Sequence, residues 1–114
     1  MDVDTILFDK LVGPIALDLP GTVLSTSYGT PAYKVDKNMF VRLKEDGKTI
    51  VVLTTERDKW MKEKPGTFFI TEHYENGPYM LIDLATVKKK DLQKLLLASW
   101  RLKAPKGLLK KISK

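Results

Sequence analysis

Leu19-Pro-Gly-Thr-Val-Leu-Ser-Thr-Ser-Tyr-Gly-Thr-Pro-Ala-Tyr-Lys-Val-Asp-Lys-Asn-Met-Phe40 sets turn residues at fixed places between short, strand-like runs. Pro20-Gly21 ends whatever precedes it, and Val23–Tyr28 has the β-branched and aromatic character of a strand. Gly29-Thr30-Pro31 is predicted to turn the chain, and Asp36-Lys37-Asn38 to connect Tyr33–Val35 to Met39–Leu43. The stretch holds no nucleophile beside a base, no metal-ligand cluster and no phosphate loop.

Outward from there the same grammar continues. Glu45-Asp46-Gly47-Lys48 contains the Asp-Gly hairpin signal and leads into Thr49–Leu53, apolar on both faces and therefore central in a sheet. Thr55 with Asp58 reads as a capping box opening a helix whose buried side is Trp60 and Met61, stopped by Pro65-Gly66. Thr67–Glu72 and Tyr79–Leu84 are expected to form a last hairpin around Glu75-Asn76-Gly77-Pro78. Upstream, Ile6, Leu7, Leu11 and Ile15 recur at helical spacing, with a break expected at Gly13-Pro14. Downstream, Leu92, Leu95, Leu96, Ser99, Trp100 and Leu102 mark a long amphipathic helix closed by Pro105, and Leu108, Leu109 and Ile112 add a short basic amphipathic tail. The order is helix, four strands, helix, two strands, helix. It predicts one α+β domain over residues 1–114, an antiparallel sheet of about six strands covered by N-terminal, middle and C-terminal helices.

The 114 residues include no cysteine, which excludes disulfides, thiolate metal sites and cysteine nucleophiles. A reducing cytoplasm is the expected compartment, since the start Met1-Asp2-Val3-Asp4 lacks a signal-peptide pattern and no apolar run is long enough for a bilayer. Charge is uneven. Residues 1–87 carry 10 Lys+Arg against 13 Asp+Glu, a net of −3, whereas residues 88–114 carry 10 against Asp91 alone, a net of +9, which together give the chain's +6. A basic tail on a mildly acidic body suits either a polyanionic partner or plain solubility.

The chain resembles the MmcQ/YjbR family, small α+β proteins commonly labelled DNA-binding. The resemblance runs from Leu19-Pro-Gly through Ser27-Tyr-Gly-Thr-Pro-Ala-Tyr-Lys-Val and Lys37-Asn-Met-Phe. It continues in Phe68-Phe69 with His73-Tyr74, and ends in Ser99-Trp-Arg-Leu-Lys-Ala-Pro-Lys. It implies a fold related to secretion chaperones and frataxin-like proteins, with two hairpins proposed as a "double wing" around DNA. It carries over no catalytic residue.

The candidate nucleic-acid contacts are Lys34, Lys37, Arg42, Lys44, Lys48, Lys88, Lys89 and Lys90. Phe40, Arg42 and Lys44 alternate with Met39, Val41 and Leu43; if the latter three face the core, Arg42 and Lys44 point outward beside the turn lysine Lys48 as a basic wing, and solvated strand edges use lysine in the same way against aggregation. Lys88-Lys89-Lys90 either start the last helix, against its dipole, or precede a start at Asp91. Tyr28, Tyr33 and Tyr74 suit base stacking or packing with a bonded hydroxyl. Trp60 and Trp100 belong to the core. His73, the one histidine, is read as structural, for want of identifiable partners for triad or metal chemistry. No catalytic residue, metal or cofactor is assigned. The expected function is non-enzymatic binding, of DNA or another polyanion. The alternative is a protein-interaction adaptor using an exposed apolar surface such as the Leu108–Leu109–Ile112 tail.

Overall fold

The chain turns back on itself twice within fifteen residues, and both reversals are two-residue turns. Tyr28-Gly29 joins β1 (Thr22–Ser27) to β2 (Thr30–Val35), and Asp36-Lys37 joins β2 to β3 (Asn38–Leu43). All four turn residues have positive φ, the type I′ pattern whose twist matches that of the flanking strands. The first reversal therefore falls one residue before the predicted Gly29-Thr30-Pro31 turn, with Thr30 and Pro31 already in β2. The structure, a computed structural model, describes residues 3–112, without the side chain of Ile112.

β4 (Thr49–Leu53), β5 (Phe68–Phe69) and β6 (Tyr79–Asp83) complete a six-stranded antiparallel sheet in the order β1-β2-β3-β4-β6-β5. The last hairpin is shorter than its sequence suggests. β5 has two residues, and the chain then makes a 3₁₀ turn, Glu72–Tyr74, instead of extending the strand. In the β3–β4 turn, Asp46 accepts from the backbone N–H of Lys48 (3.0 Å) and of Thr49 (2.8 Å) and from the Thr49 hydroxyl (2.6 Å). Gly47 there has φ +74°, and a Cβ on it would lie 2.7 Å from the carbonyl oxygen of Asp4, so both conformation and space require glycine.

Helices pack on one face of the sheet. The first, α1, combines a π-helical turn, Phe8–Val12, with Gly13–Leu17. The predicted break at Gly13-Pro14 is this widened turn: Gly13 N–H bonds to the Phe8 carbonyl, five residues back. A proline ring in a regular helix clashes with the carbonyl four residues earlier, and the extra residue relieves that clash. α2 (Arg57–Glu63) starts without the predicted capping box; its N-cap is Glu56, whose N–H donates to the Thr54 hydroxyl (3.0 Å). α3 (Lys89–Lys103) supplies Leu92, Leu95, Leu96, Ser99 and Trp100 to the core, while Leu102 stays half exposed at its last turn. α4 (Lys106–Ile112) folds back onto the body, with Leu108 against the Pro20-Gly21 turn. The predicted free apolar tail is thus partly buried at Leu108 and Leu109, and the Ile112 side chain lies outside the described residues.

The main core joins Phe8, Val12, Tyr33, Phe40, Leu43, Ile50, Phe68, Met80, Ile82 and α3. Trp60 and Trp100 are both buried in it as expected; Trp60 meets Phe68 edge-on, and Trp100 Nε1–H donates to the Pro20 carbonyl (3.0 Å). β3 carries the one large departure from strict alternation. Its pairing with β2 jumps from Val41 (opposite Tyr33) to Met39 (opposite Lys34), leaving Phe40 as the extra residue of a β-bulge. Phe40 and Val41 therefore both enter the helix-side core, where simple alternation would have set them on opposite faces. At the bulge the β3–β4 ladder is bridged by a side chain. The Ser99 hydroxyl, fully buried, accepts from Leu53 N–H (3.0 Å) and donates to the Phe40 carbonyl.

Among the described residues no helix is long and apolar enough to cross a membrane.

A cleft on the open face of the sheet

The face away from the helices is where polar chemistry collects. Residues directly opposite one another across an antiparallel ladder share a face, so Ala32, Arg42, Val51 and Leu81 form one row across four strands. Val51, Leu81 and Tyr74 make a small second cluster there, with Phe69 and Tyr79 against it. Above this floor lies a cleft of about 460 Å³, lined among others by Tyr28, Arg42, His73, Tyr74, Tyr79 and Lys103.

Arg42 is its centre. The residue is only 6% exposed, which corrects its placement on an outward basic wing. Nη1 donates to the Thr30 hydroxyl (3.0 Å) and the Leu43 carbonyl (3.2 Å), and Nη2 to the Tyr74 hydroxyl (3.1 Å). All three acceptors are neutral. The two ion pairs among the described residues, Lys59–Glu56 and Lys64–Asp91, involve neither Arg42 nor Glu45, the one carboxylate lining the cleft. A guanidinium removed from water without a counter-charge is costly.

Tyr28 lies with its ring 5.1 Å from the Arg42 guanidinium carbon and is 85% exposed. Its φ of +53° is a conformation in which asparagine and glycine are comfortable and a bulky aromatic is unusual. Tyr74 is buried, with Lys44 Nζ 5.2 Å from its ring and His73 edge-on at 4.9 Å. The loop carrying both is clamped by Arg57, whose guanidinium donates to the carbonyls of Tyr74, Glu75, Gly77 and Tyr79 at 2.7–3.1 Å. Tyr33, the third candidate stacking residue, faces the helices and stacks on Phe8 at 5.3 Å. Burial, and then the nearby charge of Asp9, raise its phenol pKa above the ordinary value.

The predicted basic residues do not form one surface. Lys34, Arg42 and Lys44 are on or beside the open face. Lys37 sits in the turn before β3, and Lys48 in the turn after it. Six strand residues, roughly 20 Å, separate those ends. Lys88, Lys89 and Lys90 lie beyond β6, near Lys48, whose carbonyl accepts from Leu84 N–H. Lys88 is the N-cap of α3, so the lysines do start the helix; Asp91, buried in its first turn, meets Lys64 Nζ at 3.3 Å and offsets them. Sequence reasoning missed Arg57 and the pairing of Tyr28 with Arg42. Tyr-Gly at an I′ turn was the available signal for the second.

The architecture has solved relatives. A crystal structure of Deinococcus radiodurans protein DR2400, a DUF419 domain, superposes with a TM-score of 0.71 at 18% identity, covering 84% of this chain and 78% of that one. Uncharacterised proteins of Mycobacterium bovis and Mycobacterium tuberculosis are 30% identical over 69 residues, 60% of this chain and 47% of theirs, so the match spans about half the length of these relatives. The YjbR family model matches residues 17–102, from the end of α1 through all six strands to the last turn of α3. With the Arg57 clamp and every residue named at the cleft except Lys103 inside that span, the chain belongs to the YjbR family.

Proposed function

We propose that the protein is a non-enzymatic binding module that takes an anionic ligand on the open face of its sheet. In nucleic-acid terms the ligand is a single strand rather than a duplex gripped by two wings. The observation that carries this reading is Tyr28, an aromatic held 85% exposed at positive φ directly over the buried Arg42. Strain of this kind concentrates where a side chain must be presented. Aromatic rings beside cations are the usual platform for single strands, where bases stack and phosphates meet positive charge. The non-enzymatic part rests on His73, whose close partner is the Tyr74 ring rather than a hydroxyl or carboxylate.

The test is fluorescence anisotropy with single-stranded DNA, duplex DNA and heparin over a salt series. Single strands should bind best, with a slope of log affinity on log salt of about 0.7 per phosphate contacted. Replacing Lys88, Lys89 and Lys90 with Gln should leave that binding unchanged. A duplex preference, with the triple variant lowering the slope by up to about 2.7, would return the function to the lysines at the end of the sheet. Equal binding of heparin would reduce it to generic electrostatics.

A protein-interaction adaptor is the second reading, favoured by β1. This edge strand carries neither charge nor proline, and Val23 and Leu24 are each 57% exposed. Exposed, unblocked edges pair readily with other chains. Absence of anion binding together with capture of an extended peptide along β1 would favour it.

A further inference from the structure

We infer that Arg42 and Tyr74 form a discrete seat for one terminal phosphate or carboxylate group carried on a flat ring, the chemistry of a nucleoside monophosphate. The inference rests on the open-face reading and narrows it to a single anionic group.

A guanidinium has five N–H donors in a planar fork. Three are committed to Thr30, Leu43 and Tyr74, which leaves two, on Nε and Nη2. The Thr30 hydroxyl accepts from Arg42 and spends its one proton on the Ser27 carbonyl (3.0 Å), so it has no donor left for an anion. Thr30 and the Leu43 carbonyl therefore fix the fork without competing for a ligand. The Tyr74 hydroxyl accepts from Arg42, and its own proton has no acceptor among the described residues. Two guanidinium N–H groups and one O–H, on two residues that line the cleft, are thus uncommitted, and no ion pair among the described residues involves Arg42. That set matches the bidentate geometry of phosphate and carboxylate oxygens.

The Arg42 guanidinium carbon lies over the Tyr28 ring at 5.1 Å, and the open donors, being N–H groups in the guanidinium plane, meet an anion at the edge of the fork. A ring attached to that anion meets Tyr28, Tyr79 and His73, all of which line the same cleft. At about 460 Å³ the cleft is of small-ligand size.

The experiment is calorimetric titration of the full chain with AMP, adenosine and inorganic phosphate, beside competition by oligothymidylate with and without a 5′-phosphate. AMP should bind at least tenfold more tightly than adenosine, and Arg42→Gln should remove most of that difference. Because Arg42 is buried, its variant is paired with Tyr28→Asn. Asparagine suits the turn, so the thermal midpoint should hold or rise while AMP affinity falls at least fivefold. A 5′-phosphorylated strand that outcompetes its unphosphorylated form identifies a strand end as the source of the group; equal competition by the two points to the free nucleotide. AMP and adenosine binding alike, or Tyr28→Asn keeping full AMP affinity, would overturn the seat. Strand binding without AMP binding removes the seat and leaves the open-face reading standing, whereas loss of both removes the two together.

Discussion

Removing a single oxygen atom, by Ser99→Ala, should destabilise the protein more than its size suggests. In the folded chain that hydroxyl stands between Leu53 N–H and the Phe40 carbonyl, just beyond Val41–Val52, the last registered pair of β3 and β4, and at the residue that bulges against β2. Ala leaves a buried donor and a buried acceptor without partners, at about 1–3 kcal/mol each. Against this stands the better helix propensity of Ala over Ser, about 0.5 kcal/mol. The expected net loss is about 2–5 kcal/mol, a large share of the 5–15 kcal/mol typical of a domain. Urea unfolding followed by tryptophan fluorescence measures it, since Trp60 and Trp100 are both in the core. The urea midpoint should fall with an unchanged slope, while an exposed helical control, Gln93→Ala, should stay within about 0.5 kcal/mol of the parent. A Ser99→Ala loss below about 0.5 kcal/mol would mean that the two strands close the gap directly, and the bridging role assigned to Ser99 would be wrong.

Arg57→Ala should free the loop at residues 74–79 from its four carbonyl contacts, seen as faster amide exchange there and weaker ligand binding with little change in the main core. Gln at Lys88, Lys89 and Lys90 should raise stability by a few tenths to about 1 kcal/mol per site near the α3 N-terminus at low salt, an effect that fades as salt is added. Asp46 is partly buried, which opposes ionisation, but the Thr49 hydroxyl, the N–H groups of Lys48 and Thr49 and the Lys48 charge together lower its pKa. Its contribution is therefore complete above the unfolded carboxyl value of about 3.9 and is lost as pH falls through the lower folded value; Asp46→Asn should flatten that acid limb in a pH-resolved melt.

Most of the sheet could be read from residues alone because turn chemistry is local. Asp46-Gly47 and Pro20-Gly21 announce themselves, and Leu92, Leu95, Leu96 and Trp100 repeat at helical spacing. What failed was non-local. The capping box at Thr55 lost to a bond from Glu56 N–H to Thr54, and β5 gives way after two residues to a loop whose carbonyls are held by Arg57, remote in sequence. Among the candidate contacts Arg42 was identified but set on the wrong kind of surface. The lysines were identified as charges, while their separation to opposite ends of β3 depends on the register of strands. Tyr28 and Arg42 are 14 positions apart and meet only because two tight turns stack β1, β2 and β3 side by side.

The extra residue in β3 links the interior of the molecule to its cleft. Phe40 and Arg42 are two positions apart, and in an unbroken strand such residues point the same way. Here they point to opposite sides, one into the helix-side core and one over the open face. Deleting a residue from this strand would therefore not merely shorten it. Such a chain would have to choose between filling its core with Phe40 and keeping Arg42 in the cleft, so the length of β3 is fixed by two demands from opposite faces of the sheet.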